Sequence, residues 1–276
     1  MPEGDTVWLT ARRLDAALSG TVLSGSDFRV PEWAEVDLSG RRVTQTLSRG
    51  KHLLTRVEDV TIHSHLKMEG SWHIYSPGAA WRSPAFQARV VLSTSMRQAV
   101  GFRLGRLAVV PRNAEDSLVG HLGPDLLGPD WSAEEAVRRL RARPGTPIGE
   151  ALLDQANLAG IGNMYKAEVC FLMGVHPNRP VGNVDSVPQL VRLAQRLLEA
   201  NKDRATQSTT GDLRRGSELW VYGRGGRRCR RCGTTIRRET FAGVADLERR
   251  TSRQAPDQDR ARESFWCPRC QPETLT

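Results

Sequence analysis

Leu153-Asp154-Gln155-Ala156-Asn157-Leu158-Ala159-Gly160-Ile161-Gly162-Asn163 reads as the end of one helix, a double turn built on two glycines, and the start of a second helix. Glycine lets the chain turn where a side chain would be strained. The apolar periodicity beyond it predicts a helix over residues 164–173, stopped by Gly174. Such a turn aims backbone N–H groups and the Asn163 amide outward from a helix N-terminus, where a phosphate is favoured. An ordinary helical hairpin has the same local signature, so residues elsewhere must separate the two.

The flanks extend the helical reading. Thr146-Pro147 opens the first helix of the pair, and Ser132-Ala133-Glu134-Glu135 is a capping box for a helix reaching about residue 143. Asp185 or Ser186 with Pro188 starts another over residues 189–202, with Leu190, Leu193, Ala194 and Leu197 on one face. Near the N-terminus, residues 5–19 read as a helix capped by Asp5 or Thr6, with Val7, Ala11, Leu14 and Leu18 on its apolar face. From there the pattern turns to short β-type runs at 42–47, 52–57, 61–66, 71–75, 86–92 and 107–110, punctuated by Gly, Ser and Pro, which predicts a β-sandwich or barrel-like domain.

At the far end Cys229-x-x-Cys232 and Cys267-x-x-Cys270 supply four thiolates, enough to close one tetrahedral structural zinc site. Neither pair lies in the βαβ context of a redox motif. The stretch between the pairs is longer than a compact ribbon needs, and residues 243–262 read as a flexible insertion. Cys170, in an apolar helical run, is expected in the core. The fold class is therefore α+β and multidomain: a sandwich with its N-terminal helix over residues 2–118, a helical domain over 130–222, and a zinc finger over 223–272.

The net charge of +9 and pI near 9.9 point to a nucleic-acid partner, because phosphate neutralisation supplies most non-specific affinity. A solvated basic tail would give the same surplus. Arginine so dominates that the few lysines stand out, and Lys51 lies in Ser48-Arg49-Gly50-Lys51-His52, a turn suited to delivering an ammonium to a phosphate. Arg262, just before the second cysteine pair, would sit near the tip of a zinc hairpin and could grip a phosphate bidentately. The chain has neither a long apolar span nor a signal-peptide pattern, so a cytoplasmic protein without membrane contact is expected.

The chain opens Met1-Pro2-Glu3-Gly4. With Met1 removed, Pro2 presents a secondary amine. A free α-amine titrates near ~8 and a lysine near ~10.4, so this terminus is a usable nucleophile at neutral pH. Its attack on an aldehyde-like carbon yields an iminium that acts as an electron sink, as an enzyme that opens sugars in DNA would require.

Taken in order, Pro2-Glu3-Gly4, the Gly50-Lys51 turn, His65 to Gly70, Gly160 to Asn163, and the four cysteines preceded by Arg262 resemble the formamidopyrimidine-DNA glycosylase and endonuclease VIII family over nearly the whole chain. The resemblance implies a helix-two-turn-helix domain, and DNA lying in a cleft between it and the sandwich. It implies Pro2 as the nucleophile, Glu3 as the acid, and Lys51, Asn163 and Arg262 as a phosphate clamp. Leu66-Lys67-Met68-Glu69 occupies the loop that fills the gap left by a flipped nucleotide, with Met68 as the wedge. The Asp-Pro-Arg-Arg-Phe-Gly loop of the formamidopyrimidine branch is replaced by Gly101-Phe102-Arg103-Leu104-Gly105-Arg106-Leu107, which places the chain in the endonuclease VIII branch.

That branch implies oxidised pyrimidines in double-stranded DNA, or abasic sites, as substrate. It also implies strand cleavage by β,δ-elimination, one structural Zn2+, and a monomer working at the bacterial nucleoid. Asp5 and Thr6 stand where the family has proline and glutamate, so a carboxylate that helps process the opened sugar is missing. Two other readings use fewer of these features: an abasic-site lyase without glycosylase activity, and a non-catalytic damaged-DNA-binding protein. His63, His65, His73 and His121 are expected to be structural.

Overall fold

The computed structural model describes residues 2–241 and 262–273, without the side chains of residues 240, 241 and 262. The expected flexible insertion lies outside the described residues, apart from the backbone of Arg262.

Helix α1 (Gly4–Leu18) forms where Val7, Ala11, Leu14 and Leu18 recur at helical spacing, and all four are buried. It starts one residue earlier than predicted. Glu3 is the N-cap residue, and the Val7 N–H donates to its carbonyl at 3.0 Å. Asp5, expected to cap, lies in the first turn with its carboxylate committed to Tyr165 and Gln207. Asp15 accepts the Thr46 N–H at 2.7 Å and fastens the helix to the sheet below.

Strands β1 (Gly25–Phe28), β2 (Val43–Arg49), β3 (His52–Val57), β4 (Val60–His65), β5 (Ser71–Tyr75), β6 (Ala88–Ser93), β7 (Gln98–Phe102) and β8 (Arg106–Pro111) follow. They form two antiparallel four-stranded sheets, ordered β1-β6-β7-β5 and β2-β3-β4-β8. Strands β1 and β7 were not expected from the sequence. The core between the sheets joins Leu53, Val57 and Ile62 to Phe28, Val90, Leu92 and Ala99, and the apolar face of α1 packs into it. The register pairs His52 with His65 and Leu54 with His63, which puts these four residues on the outer face of the second sheet. There Leu54 meets Val119, Leu122 and Ala159, a small apolar seam between the sandwich and the helical part.

After the short α2 (Asp116–Val119) come α3 (Ala133–Arg141), α4 (Ile148–Leu153), α5 (Asn163–Leu172) and α6 (Val187–Asn201). Ser132 caps α3 by accepting the Glu135 N–H at 3.2 Å, whereas the Glu135 carboxylate pairs with Arg138 and Arg139, so half of the expected capping box forms. The buried face of α6 is Val187, Leu190, Val191, Ala194 and Leu198; Leu193 and Leu197 are only partly buried at its margin. Strands β9 (Arg237–Phe241) and β10 (Arg262–Trp266) pair as the two strands of the C-terminal finger. Its small core is Phe265, Ile236, Val221, Cys229 and Cys267 against Ala167 and Phe171 of α5.

Candidate active site and nucleic-acid interface

The N-terminus, the Lys51 turn and the glycine double turn meet at one place. The Gly4 N–H donates to the Gly160 carbonyl at 2.8 Å, and Gly160 holds φ +105. A Cβ on Gly4 would lie 2.9 Å from Gly160 backbone atoms, so only glycine permits this approach. Glu3 is thereby pushed into the start of α5 and is 1% exposed. Its Oε2 accepts the N–H of Gly162 at 2.8 Å and of Tyr165 at 3.4 Å, and its Oε1 accepts that of Met164 at 2.8 Å. The N–H groups expected to point outward therefore hold an internal carboxylate. A helix N-terminus favours any anion, and Glu3 has taken the place assigned to phosphate.

Burial pushes the Glu3 pKa up to about 7; the Lys51 charge and the Met164 and Gly162 N–H groups pull it down, and the neighbouring Asp5 raises it further. Glu3 can thus hold a proton near neutrality. A Cβ at Gly162 would lie 2.6 Å from the Glu3 carboxyl carbon. Gly162→Ala is expected to expel the Glu3 side chain, costing about 1–3 kcal/mol of stability by overpacking. Thermal unfolding should show the loss, and single-turnover base excision should fall far more than stability does.

Lys51 reaches the same turn, its Nζ donating to the Ile161 carbonyl at 2.7 Å. Residues that the sequence reading missed place it there. Gly50 N–H donates to Asp125 Oδ2 at 2.8 Å, and Arg49 donates to Asp130 and the Gly123 carbonyl. Gln155 braces the double turn, giving its amide to the Ile161 carbonyl at 3.0 Å and accepting the Gly160 N–H at 3.0 Å. An Asp or Gln in a loop carries no periodic signal, and nothing in the sequence marks these.

Asn163 is half-buried, and its Nδ2 donates to the Glu263 carbonyl at 2.7 Å. The amide is thus tied to β10, next to Arg262, whose side chain lies outside the described residues. Lys166 Nζ likewise donates to Ser264 Oγ at 3.2 Å. The buried Glu168 carboxylate accepts the N–H of Trp220, Val221 and Tyr222, each at 2.8 Å, which fixes the approach to the finger.

Met68 is 67% exposed at the tip of the β4–β5 loop. The Lys67 N–H donates to His65 Nδ1 at 2.9 Å, and Lys67 adopts φ 52, which together turn the loop outward. His52 Nδ1 and His63 Nε2 lie 2.8 Å apart with stacked rings, His65 meets His52 edge-on, and His121 borders them. Burial keeps His52, His63 and His65 neutral, with Arg106 adding to the effect on each: His52 is pushed down to about 2, His65 to about 3 and His63 to about 4.

The Sγ atoms of Cys229, Cys232, Cys267 and Cys270 lie within 4.8 Å of one another. Four soft donors on two knuckles fit one ion held tetrahedrally, with metal–sulfur bonds of about 2.3 Å. No other such cluster occurs among the described residues. No described helix is long and apolar enough to cross a membrane.

Residues 1–108 match the formamidopyrimidine-DNA glycosylase N-terminal domain and residues 122–209 the H2TH domain of the same family. The chain is 55% identical over 275 residues to the probable endonuclease 8 2 of Streptomyces coelicolor, covering 98% of this chain and 94% of that one. It is 45% identical to the DNA-(apurinic or apyrimidinic site) lyase Nei2 of Mycolicibacterium smegmatis, covering 98% and 99%. In fold it matches MutM, whose structure was solved in complex with DNA containing carbocyclic 8-oxo-G, with a TM-score of 0.77 at 23% identity over 98% of this chain and 99% of that one. An N-terminal helix on a β-sandwich, a helix-two-turn-helix whose Gly162, Met164 and Tyr165 N–H groups receive Glu3, and a four-cysteine finger, with relatives so similar over the full length, mean that the chain belongs to the formamidopyrimidine-DNA glycosylase and endonuclease 8 family of DNA-repair glycosylases and abasic-site lyases.

Proposed function

We propose that the protein excises oxidised pyrimidines from double-stranded DNA and cleaves the strand at the resulting abasic site by β,δ-elimination. The observation that carries this reading is the Glu3 carboxyl, the residue after Pro2, buried at the start of α5 and pushed up by that burial to about 7. An acid of that kind can protonate the sugar oxygen or the leaving base while an adjacent amine attacks C1′. Pro2 nitrogen forms the bond to C1′, the glycosidic bond breaks, and ring opening leaves an iminium. Loss of a C2′ proton expels the 3′ phosphate, and a further elimination expels the 5′ phosphate. Because the proline nitrogen is secondary, the iminium cannot lose its charge by giving up a proton from nitrogen; loss of the C2′ proton gives an enamine, and expulsion of the phosphate restores a conjugated iminium.

In this reading Lys51, Asn163 and Arg262 clamp phosphates around the lesion, and Met68 fills the gap left by the flipped nucleotide. Residues 2–118 form the catalytic domain, 130–222 the helix-two-turn-helix domain and 223–272 the finger. The four cysteines hold one Zn2+, which supplies no chemistry to the reaction and stabilises the finger. The protein acts as a monomer at the bacterial nucleoid. The pyrimidine preference is supported by the missing Asp-Pro-Arg-Arg-Phe-Gly loop and by the endonuclease 8 names of its relatives.

Glu3→Gln is the direct test. General acid catalysis contributes about 10²- to 10⁴-fold, so single-turnover excision of 5-hydroxyuracil or thymine glycol should fall in that range. Cleavage of a preformed abasic duplex should stay within about tenfold, since no base has to leave, a difference of about 1.4 kcal/mol at most. In the wild type, excision should weaken as pH rises through about 7, because the acid ionises. An enzyme that cuts only the abasic duplex would support the lyase-only reading, which the Thr6 replacement favours. Faster excision of 8-oxoguanine than of either pyrimidine would contradict the substrate assignment.

A further inference from the structure

Met68 stands exposed on the loop of residues 66–70 that joins β4 to β5. Leu66 anchors one end of the loop in the sandwich core, and the Gly70 N–H closes the other on the Leu66 carbonyl at 2.8 Å. A Cβ on Gly70 would lie 2.4 Å from that oxygen, so the closure needs glycine. Between them Lys67 holds φ 52, a left-handed conformation that any side chain disfavours. Such a bend persists only where its surroundings over-determine it.

His65 supplies two of the constraints. Its Nδ1 accepts the Lys67 N–H at 2.9 Å, and its carbonyl accepts the Gly105 N–H at 3.0 Å from the β7–β8 turn. Gly105 is the third: a Cβ there would lie 2.2 Å from Lys67 Cγ and 2.7 Å from Lys67 Cβ, so the stem of Lys67 rests against bare glycine backbone. The imidazole is itself held, edge-on to His52 with ring centroids 5.2 Å apart, and His52 Nδ1 lies 2.8 Å from Nε2 of the fully buried His63. Accepting at Nδ1 puts the ring proton of His65 on Nε2. Asparagine offers the same kind of acceptor to the N–H two residues on when it forms an Asx turn.

We propose that His65 is a positioning residue for the wedge: together with Gly105 it fixes the left-handed bend at Lys67, and that bend presents Met68 to the gap left by a flipped nucleotide. The inference rests on the reading of Met68 as the wedge given above. A side chain ordered before binding loses less entropy on insertion than one carried by a free loop. The benefit is confined to paired DNA, because a base already out of its stack leaves no ordered gap to be held open. His65 thus acts on flipping and not on the chemistry at Pro2.

The test compares 5-hydroxyuracil in a fully paired duplex with the same lesion strand in a bubble of unpaired bases, using untagged, zinc-loaded protein in single-turnover excision. 2-Aminopurine beside the lesion reports unstacking by its fluorescence. His65→Leu keeps the bulk and removes the acceptor, whereas Gly105→Ala leaves His65 in place and pushes on Lys67 from the other side. Both variants are expected to slow excision and the fluorescence rise on the paired duplex by about tenfold or more, and to stay within about twofold of wild type on the bubble. His65→Asn, which can accept the Lys67 N–H, should stay within about twofold of wild type on both. Met68→Ala should match His65→Leu, and the double variant should be no slower than either, since both changes remove the same wedge.

An equal loss on both DNAs in His65→Leu and Gly105→Ala marks a general structural role and overturns the proposal. So does a paired-duplex rate that neither variant changes, or His65→Asn as slow as His65→Leu. Equal losses on both DNAs in Met68→Ala would overturn the wedge reading itself, and this inference with it.

Discussion

Protein that retains an N-terminal extension ahead of Pro2 is expected to form no borohydride-trapped adduct with an abasic duplex and to cleave it at least roughly a thousandfold more slowly, a loss of about 4 kcal/mol in the barrier. An extension turns the secondary amine into an amide, which has no basic lone pair for attack on C1′. Among the described residues the fold gives no substitute. The Gly4–Gly160 hydrogen bond fixes the start of α1 against the double turn, so position 2 cannot move aside for another amine. Lys51, the cation nearest in role, donates to the Ile161 carbonyl. Pro2→Gly keeps an amine but yields an imine that can lose its charge, and its adduct should be much reduced. Extended protein that traps as well as the free terminus would remove Pro2 from the mechanism, whereas a loss confined to the extended form would implicate the terminal nitrogen alone.

The second large effect is expected from the finger. Cys267→Ser, or removal of the metal by a chelator, should weaken binding to a damaged duplex by at least about a hundredfold at fixed salt, while the sandwich and helices stay folded. Structural zinc in isolated fingers is worth about 10–16 kcal/mol of folding free energy. Here Cys229 and Cys267 also make up part of the finger's small core, with Ile236 and Phe265. Strand β10 carries Arg262, gives its Glu263 carbonyl to Asn163, and holds Ser264 against Lys166. Losing the ion would therefore loosen both ends of the proposed clamp together. Titration of the duplex by fluorescence anisotropy, with circular dichroism to follow the remaining fold, separates the local loss from unfolding. Wild-type affinity in Cys267→Ser would mean that the finger does not hold the DNA.

Much of this was legible in the chain because its signals are local. The two CxxC pairs converge as expected, and β3 and β5 fall where alternation places them. Strand β1 was not, since Gly25-Ser26-Asp27-Phe28 is short and has no β-branched residue. Strand β7 carries Gly101, whose missing side chain makes room for Leu104 and Val90. The site was legible as a set of residues and not as a set of contacts. Pro2-Glu3 and the double turn were both visible, but that the Glu3 carboxylate occupies the N–H groups of the turn depends on two segments far apart in sequence. Asp125, Gln155 and Gln207 act through hydrogen bonds from loops, where no periodicity marks them. Asp5 was read as standing where the family has proline, and its bonds to Tyr165 and Gln207 again join segments far apart in sequence.

The central claim is that one terminal nitrogen both displaces the base and opens the sugar. It is tested most directly by borohydride reduction of untagged protein on a duplex carrying 5-hydroxyuracil, followed by proteolysis and mass spectrometry of the DNA-linked peptide. The account requires the reduced sugar on the nitrogen of Pro2 in the N-terminal peptide. Attachment at Lys51 or any other lysine, or an adduct that forms only on a preformed abasic site, would contradict it.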